Sequence, residues 1–485
     1  MDVLSIVRIL APEITLAAAA LALITIETLV SSKTKWISMF LSIVSLLISL
    51  GFLIFTPGEG RTFGMLVADP FAAYFKILAV VSCIFVLLIS EREDSLMGVN
   101  STVYCALLLL STLGTMLLSS AEDFLILFVG LELVTIPLFV LTGFNFDLKK
   151  SSEGAIKFFL MGAFSSGLMV FGISYIYGLC GSTHFLSIQD WVLSTQAESG
   201  MLPILFSVAF IFTFVGLGFK FSLVPFHQWV PDVYEGAPTP ITAFFSVSRD
   251  AGVLAVLLRL FGQYLHQVDL GLGEVFSVLA ILTMTLGNLT ALRQTNLKRL
   301  LAYSSIAHAG TLFIGLVADN AMGREGAMLY GFAYLLMNIG AFSVVSMIAR
   351  VRGSEEIGAL SGLAKGNLGL AFLMIFFLLS LAGIPPFLGF WAKFYVFAGA
   401  AQAHMFLLVG FALINSVIAV AYYFKVAQKM FFENPGDGQP CISGGTIGWS
   451  IQTTTFATGM ALLILGIFPE TVLSWVRYSS QFLAR

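Results

Sequence analysis

Two lysines lie at positions in this chain where an amine at membrane depth would do chemistry. Lys220 follows a long apolar run and precedes the helix-breaking Pro225 in GLGFKFSLVPFHQWVPDVYEGAPTP, residues 216–240. Lys393 follows seven residues after Pro386 in LSLAGIPPFLGFWAKFYVF, residues 379–397, where Pro385-Pro386-Phe387 interrupts a second apolar run. A lysine at the centre of a membrane helix costs roughly 2.5–3.5 kcal/mol on insertion, so such residues face a protein interior or a water-filled cavity and mark ion or proton paths. For Lys220, snorkelling to the interface is the other reading. The prolines beside them favour the first, because broken helices are where transporters place buried sites. For either Pro-Phe pair alone an ordinary membrane-helix kink is the slightly better account; the accompanying lysines tip the balance.

The elements that must hold these lysines follow from composition. With 485 residues, 58% hydrophobic and 11% charged, the chain falls outside the soluble globular class, whose charged fraction is near a quarter. It is expected to be an all-α polytopic membrane protein. The four cysteines, Cys83, Cys105, Cys180 and Cys441, form no C-x-x-C pair, so no metal site or iron–sulfur cluster is suggested. No phosphate-binding loop of the G-x-x-x-x-G-K-[ST] type occurs, which removes direct ATP hydrolysis as an energy source. The N-terminal stretch, with Asp2, Arg8 and Glu13 around a short apolar run, is read as a retained helix rather than a cleaved signal.

A window of about 20 apolar residues gives about fourteen transmembrane spans, near 12–30, 36–55, 70–90, 100–119, 121–143, 153–178, 202–225, 239–262, 272–291, 299–317, 325–349, 368–400, 403–427 and 454–475. The seventh and twelfth are the broken ones. Thirteen lysines and arginines then fall on odd-numbered loops, among them Lys33, Lys149, Lys298 and Arg350, against two, Arg61 and Arg324, on even-numbered loops. Basic residues gather on cytoplasmic loops, so both termini are expected on the outer side. Two similar broken helices running in opposite directions, five spans apart, point to two inverted five-helix repeats. The chain then divides into an N-terminal three-helix segment (1–95), a first repeat of spans 4–8 (100–263), a second repeat of spans 9–13 (272–430), and a loop with a last helix (431–485) that reads as a packing appendage.

Six basic residues remain within or at the edges of spans: Lys76, Lys157, Lys220, Arg249, Arg259 and Lys393. Lys76 lies outside the repeats and reads as snorkelling. Lys157 is either part of a proton intake path or a topology anchor. His227 and Asp232, just past the first break, either gate water or satisfy backbone groups freed by the break. Tyr422, Tyr423 and Lys425 read as an interfacial belt.

The runs VGLELVTIPLF, GLGFKFSLVPFHQWVPDVYEGAP, LGNLTALRQTNLKRLLAYSSIAHAG and SLAGIPPFLGFWAKF together resemble the antiporter-like membrane subunits of respiratory NADH-quinone oxidoreductase, complex I, over about residues 70–430. Related subunits of multisubunit cation/proton antiporters and membrane-bound hydrogenases share the fold. The resemblance implies that Glu132 is the buried glutamate pairing with Lys220, that His308 relays protons between the halves, and that Lys393 stands on the exit side. Desolvation favours a neutral amine and an adjacent carboxylate favours the ammonium, so a moving carboxylate switches a buried lysine between holding and releasing a proton. Where the family has a lysine in the eighth span, FFSVSRDAGVLAVLLRLF offers Arg249 and Asp250. Arginine stays protonated, so these two are expected to form an internal ion pair, with Asp250, Ser246, Ser248 or water carrying any proton hop. Facing a lipid headgroup or a partner subunit is the alternative for Arg249.

The expected function is therefore a proton-translocating membrane subunit, driven by quinone reduction in neighbouring subunits and located in a bacterial inner membrane. The chain is expected to bind no cofactor or metal of its own, NADH, FMN, iron–sulfur clusters and quinone being implied in partner subunits. Its partners would be the other membrane-arm subunits and the lipid bilayer, with no nucleic acid. The alternatives are a subunit of a cation/proton antiporter or membrane-bound hydrogenase, and a non-pumping membrane scaffold.

Overall fold

A computed structural model describes residues 3–29, 35–56, 58–93, 96, 101–265, 272–435 and 448–483. Asp2, Lys33 and Cys441 lie outside the described residues, as does most of the late loop. The main helices are α1 (Ala11–Leu29), α2 (Lys35–Phe55), α3 (Pro70–Ser90), α4 (Ser101–Ser119), α5 (Phe124–Thr142), α6 (Lys149–Cys180) and α7 (Ile204–Lys220). They continue with α8 (Thr239–Tyr264), α9 (Gly273–Ala291), α10 (Leu297–Val317), α11 (Ala321–Arg352), α12 (Leu368–Ala382), α13 (Leu388–Gln402), α14 (Phe406–Phe432), α15 (Trp449–Ile467) and α16 (Glu470–Ser480). Eleven helices among the described residues are long and apolar enough to cross a membrane, and α7 and α12 are shorter apolar helices. A small hairpin, Gly60–Thr62 paired with Leu66–Ala68, joins α2 to α3.

The helix starts are written in the sequence as side-chain caps. Asp69, Asp123, Asn296, Asn320 and Asn367 accept the first free backbone N–H groups of α3, α5, α10, α11 and α12. Where no water is available inside a bilayer, every such group needs an internal partner.

Three helices are enclosed by the others. The apolar windows of α8, α10 and α11 are 100%, 94% and 89% buried, whereas those of α9, α14 and α15 are 33–39% buried and face outward. Surrounding helices thus enclose α8 with Arg249, Asp250 and Arg259, which lipid would not tolerate.

Three expectations change. Lys76 does not snorkel: its ammonium, 4% exposed, lies 2.6 Å from the Glu13 carboxylate of α1. The acidic residue carried by the neighbouring helix gives the lysine a partner inside the protein, so it has no need to reach the interface. Tyr422 and Tyr423 form no interfacial belt, because both are buried and hydrogen-bonded toward α9 and α10. The last span, expected over 454–475, ends as a helix at Ile467, and Pro469 begins a separate helix, α16. Proline lacks the N–H that would continue α15 and turns the chain there. Both α15 and α16 pack against α11 and α3.

Candidate functional site

The first break spans residues 221–229. Helix α7 stops at Lys220, the chain turns through Ser222 with φ +61°, and a short helix, Val230–Gly236, follows outside the spans. A left-handed serine is uncommon and is held there by its surroundings: its hydroxyl accepts a hydrogen bond from Arg249 Nη2 at 3.2 Å. The freed backbone N–H of Val224 donates to Thr283 Oγ1 at 3.0 Å, and Trp229 Nε1 donates to the Phe219 carbonyl.

At the end of α7 the Lys220 side chain is 1% exposed, with Nζ 3.5 Å from Glu132 Oε1 of α5. It donates to Thr135 Oγ1 at 3.1 Å, and the rings of Phe139 and Phe219 stand 5.9 Å away on either side. Ser166 of α6 donates to the same Glu132 oxygen at 2.5 Å. Glu132 Oε1 thus faces two donors, the Ser166 hydroxyl at 2.5 Å and the Lys220 ammonium at 3.5 Å.

The next group along is the ion pair of α8. Arg249 Nε and Nη2 lie 3.0 and 2.6 Å from Asp250 Oδ1, and the guanidinium covers the Trp229 ring at 4.6 Å. Arg249 ends a π-helical turn, Phe245–Arg249, a widening that recurs at functional sites because it re-aims side chains without ending the helix. Nη1 of Arg249 is buried without a hydrogen bond. The internal pair is therefore present, with both side chains 6% exposed or less, and Arg249 faces no lipid.

Further polar contacts join α8 and the short helix Val230–Gly236 to α11 and α10. Asn338 of α11 donates to Ser246 Oγ at 3.3 Å, and Tyr234 shares a 3.0 Å hydrogen bond with Ser305 of α10. His308, one turn further along α10, is held at both ring nitrogens: Nδ1 lies 2.5 Å from the Tyr330 hydroxyl and Nε2 lies 3.1 Å from that of Tyr423. Tyr423 also meets Ser304 at 2.5 Å. Hydroxyls both donate and accept, so each contact fits either tautomer of the ring.

At the second break α12 ends at Ala382, Gly383 adopts φ +83°, and α13 begins at Leu388. Lys393 points back across the break and donates to the Ala382 carbonyl at 2.9 Å, where the free carbonyls of a helix end favour a cation. A cavity of about 360 Å³, lined by Lys393, Gly383, Phe394 and Ser416, adjoins it. Gly389 is required here: a Cβ would stand 2.0 Å from the Ser380 carbonyl oxygen.

Lys157 and Asp232 sit in a cluster at the Lys/Arg-rich end. Asp232 accepts from Lys157 at 2.7 Å and from Arg299 at 2.8 Å. Glu235 accepts from Lys150 and Arg299, and Lys298 pairs with Glu355 at 2.9 Å. A cavity of about 630 Å³ opens beside them, with Lys149, Lys150, Glu235, Lys298 and Glu355 on its wall. His227 is nearly buried, with Nδ1 lacking a hydrogen bond. Burial works against the charge of Asp232 and Glu235, but hydrogen bonds from Lys157, Lys150 and Arg299 hold both carboxyls below their ordinary range. A depressed carboxyl contributes stability above its unfolded value, about pH 4, and loses it as the pH falls. Thermal unfolding monitored between pH 8 and pH 3 is expected to show no titration from this cluster above pH 5 and a falling midpoint below pH 4, and Asp232→Asn should flatten that acid limb.

The structure brings Glu132 to Lys220, pairs Arg249 with Asp250, and holds His308 between the hydroxyls of Tyr330 and Tyr423. Sequence reasoning missed Tyr330, Tyr423 and the Arg259–Asp69 pair, whose guanidinium nitrogens lie 2.9 and 3.0 Å from the carboxylate. The missed signal for Tyr423 was its placement on a helix whose neighbour carries Ser304 and His308.

Fold and site together define a polytopic helical membrane protein of the antiporter-like class, with buried acids, bases and hydroxyls strung between two broken helices. Residues 121–419 match the family described as NADH:quinone oxidoreductase/Mrp antiporter, TM. The chain is 40% identical over 422 residues to NADH-quinone oxidoreductase subunit N of Moorella thermoacetica, covering 87% of each chain. It is 37% identical over 483 residues to subunit N of Trichlorobacter lovleyi, covering 98% and 97%. Among solved structures it is similar to a chain of respiratory complex I from Thermus thermophilus, with TM-score 0.79, 30% identity and coverage of 96% and 98%. A chain of the Mrp complex from Dietzia shares the fold at TM-score 0.82 and 18% identity. The chain belongs to the NADH:quinone oxidoreductase/Mrp antiporter membrane family, and its relatives at 35–40% identity are subunit N proteins of NADH-quinone oxidoreductase.

Proposed function

We propose that this chain is a proton-translocating membrane-arm subunit of NADH-quinone oxidoreductase, in which quinone reduction by neighbouring subunits drives protons along the buried polar row. The observation that carries this reading is the row itself: Glu132–Lys220, Arg249–Asp250, Ser246–Asn338, Tyr234–Ser305, the hydroxyl-clamped His308, and Lys393. Ionisable side chains enclosed within a membrane bundle are costly and mark ion or proton paths. Glu132 and Lys220 load the proton, Asp250 and His308 pass it on, and Lys393 releases it. Arg249 keeps a fixed positive charge beside Asp250. Lys157, His227 and Asp232 border the intake from the Lys/Arg-rich end, which the loop charges assign to the cytoplasm.

The finer architecture belongs to the same reading: about fourteen spans, two inverted five-helix repeats, and both termini on the outer side of a bacterial inner membrane. The two breaks support it, each carrying a buried lysine. Moving one charge against 100 mV takes about 2.3 kcal/mol, so the energy must come from outside this chain.

A native gel of detergent-solubilised membranes, stained for NADH oxidation, tests the assembly. The chain is expected to comigrate with a large NADH-oxidising band, identified by mass spectrometry. Comigration with antiporter-type subunits and no NADH activity would overturn the assignment and make sodium flux the quantity to measure.

A further inference from the structure

The cavity of about 630 Å³ at the Lys/Arg-rich end is walled by several connections at once: the residues after α3, the start of α6, the turn from Val230–Gly236 into α8, and the end of α11. Five basic side chains face three carboxylates on that wall, a surplus of two positive charges. Two of the five are paired: Lys150 Nζ lies 2.7 Å from Glu235, and Lys298 Nζ lies 2.9 Å from Glu355. The other three, Arg92, Lys149 and Arg350, are exposed and pair with no carboxylate among the described residues. Like charges gathered around one hollow raise the local potential and draw in an anion.

The start of α6 adds to this field. Its N-cap is Leu148, whose side chain offers the first free N–H groups no acceptor, and its first turn holds Lys149 and Lys150 without an acid. Helix N-termini ordinarily carry acids or bind anions, because their N–H groups and dipole favour negative charge. Two lysines there oppose the dipole, and a bound anion satisfies the amides and the ammonium groups together. The wall is closely built: a Cβ on Gly236 would stand 2.3 Å from the Lys150 carbonyl oxygen, so the turn before α8 rests directly on the first turn of α6.

Beside the charge lies exposed apolar surface. Leu148, on the cavity wall, and Phe146, two residues before it, are 54% and 74% exposed. A soluble anion has no use for them, whereas an acyl chain does. We infer that this cavity binds the headgroup of an anionic phospholipid, with its phosphates held by Arg92, Lys149 and Arg350 and an acyl chain lying over Phe146 and Leu148. Basic pockets between membrane helices suit such headgroups. The surplus of two charges matches a lipid with two phosphodiesters. At roughly 30 Å³ per molecule the cavity has space for about twenty waters, which admits such a headgroup with part of its hydration. The inference needs only a membrane setting and stands independently of the proton row.

The test uses the chain in its native assembly, returned to phosphatidylcholine vesicles that contain a small fraction of phosphatidylglycerol with a diazirine on one acyl chain. After illumination, labelled peptides are mapped by mass spectrometry. Labelling of the peptide that holds Phe146 and Leu148 is expected to be several-fold above that from a phosphatidylcholine probe with the same chains, and diphosphatidylglycerol is expected to compete it away. Arg92→Gln, Lys149→Gln and Arg350→Gln combined break no ion pair and are expected to bring labelling down to the phosphatidylcholine level. Equal labelling by the two probes, or labelling unchanged in the triple variant, would overturn the proposal. Competition by inorganic phosphate as effective as by the lipid would make this a soluble-anion site, and protection of the peptide from both probes would mean that another subunit covers the cavity; either result overturns the proposal too. Should the triple variant fail to assemble, the two probes and two competitors applied to the parent chain decide alone.

Discussion

Lys220→Ala is expected to abolish NADH-driven proton pumping by this chain, lowering it about 100-fold or more, the range over which a positioned acid–base group acts. Assembly is expected to survive. The removed ammonium leaves Glu132 with its Ser166 hydrogen bond and 21% of its side chain exposed, so no fully buried charge is left alone. Pumping is read as dye quenching in closed vesicles and assembly as the native-gel band. A scaffold whose charges only orient helices would pump normally in this variant.

The second large effect falls on the pair in α8, and on stability first. Arg249→Ala leaves Asp250 buried without a partner, and removing one member of a buried pair costs about 3–5 kcal/mol. The variant is expected to show a lower unfolding midpoint in detergent and little assembled complex. Asp250→Ala strands the guanidinium in the same way, although Ser222 and the Trp229 face still hold it, so its loss is smaller. Arg249→Met combined with Asp250→Asn removes both charges and is expected to regain assembly while pumping stays low. Double-variant pumping at the wild-type level would mean that the row does not pass through α8.

What the sequence made legible was what the bilayer makes expensive. Lysines at 220 and 393 stand out because lipid penalises them, and the prolines beside them mark the breaks. Helix positions followed because membrane thickness limits their length, and thirteen basic residues against two suggested their alternation. Partners were harder to see. Asp69 and Arg259 are 190 residues apart, and nothing in composition joins them. The π-helical turn at Phe245–Arg249 leaves no mark in a pattern of apolar residues. Tyr423 misled because a tyrosine near a helix end ordinarily sits at the interface, and only the packing of α14 against α9 and α10 turns it inward to His308. Lys76 misled for the same reason, its partner lying on another helix.

The most direct test is the proton-to-electron ratio of the assembled complex carrying Lys220→Arg. Arginine keeps the positive charge beside Glu132 but does not give up its proton under working conditions. If Lys220 carries a proton, quinone reduction continues and the ratio falls below that of the wild type. An unchanged ratio would show that a fixed charge suffices at this position and would contradict a proton path through Lys220.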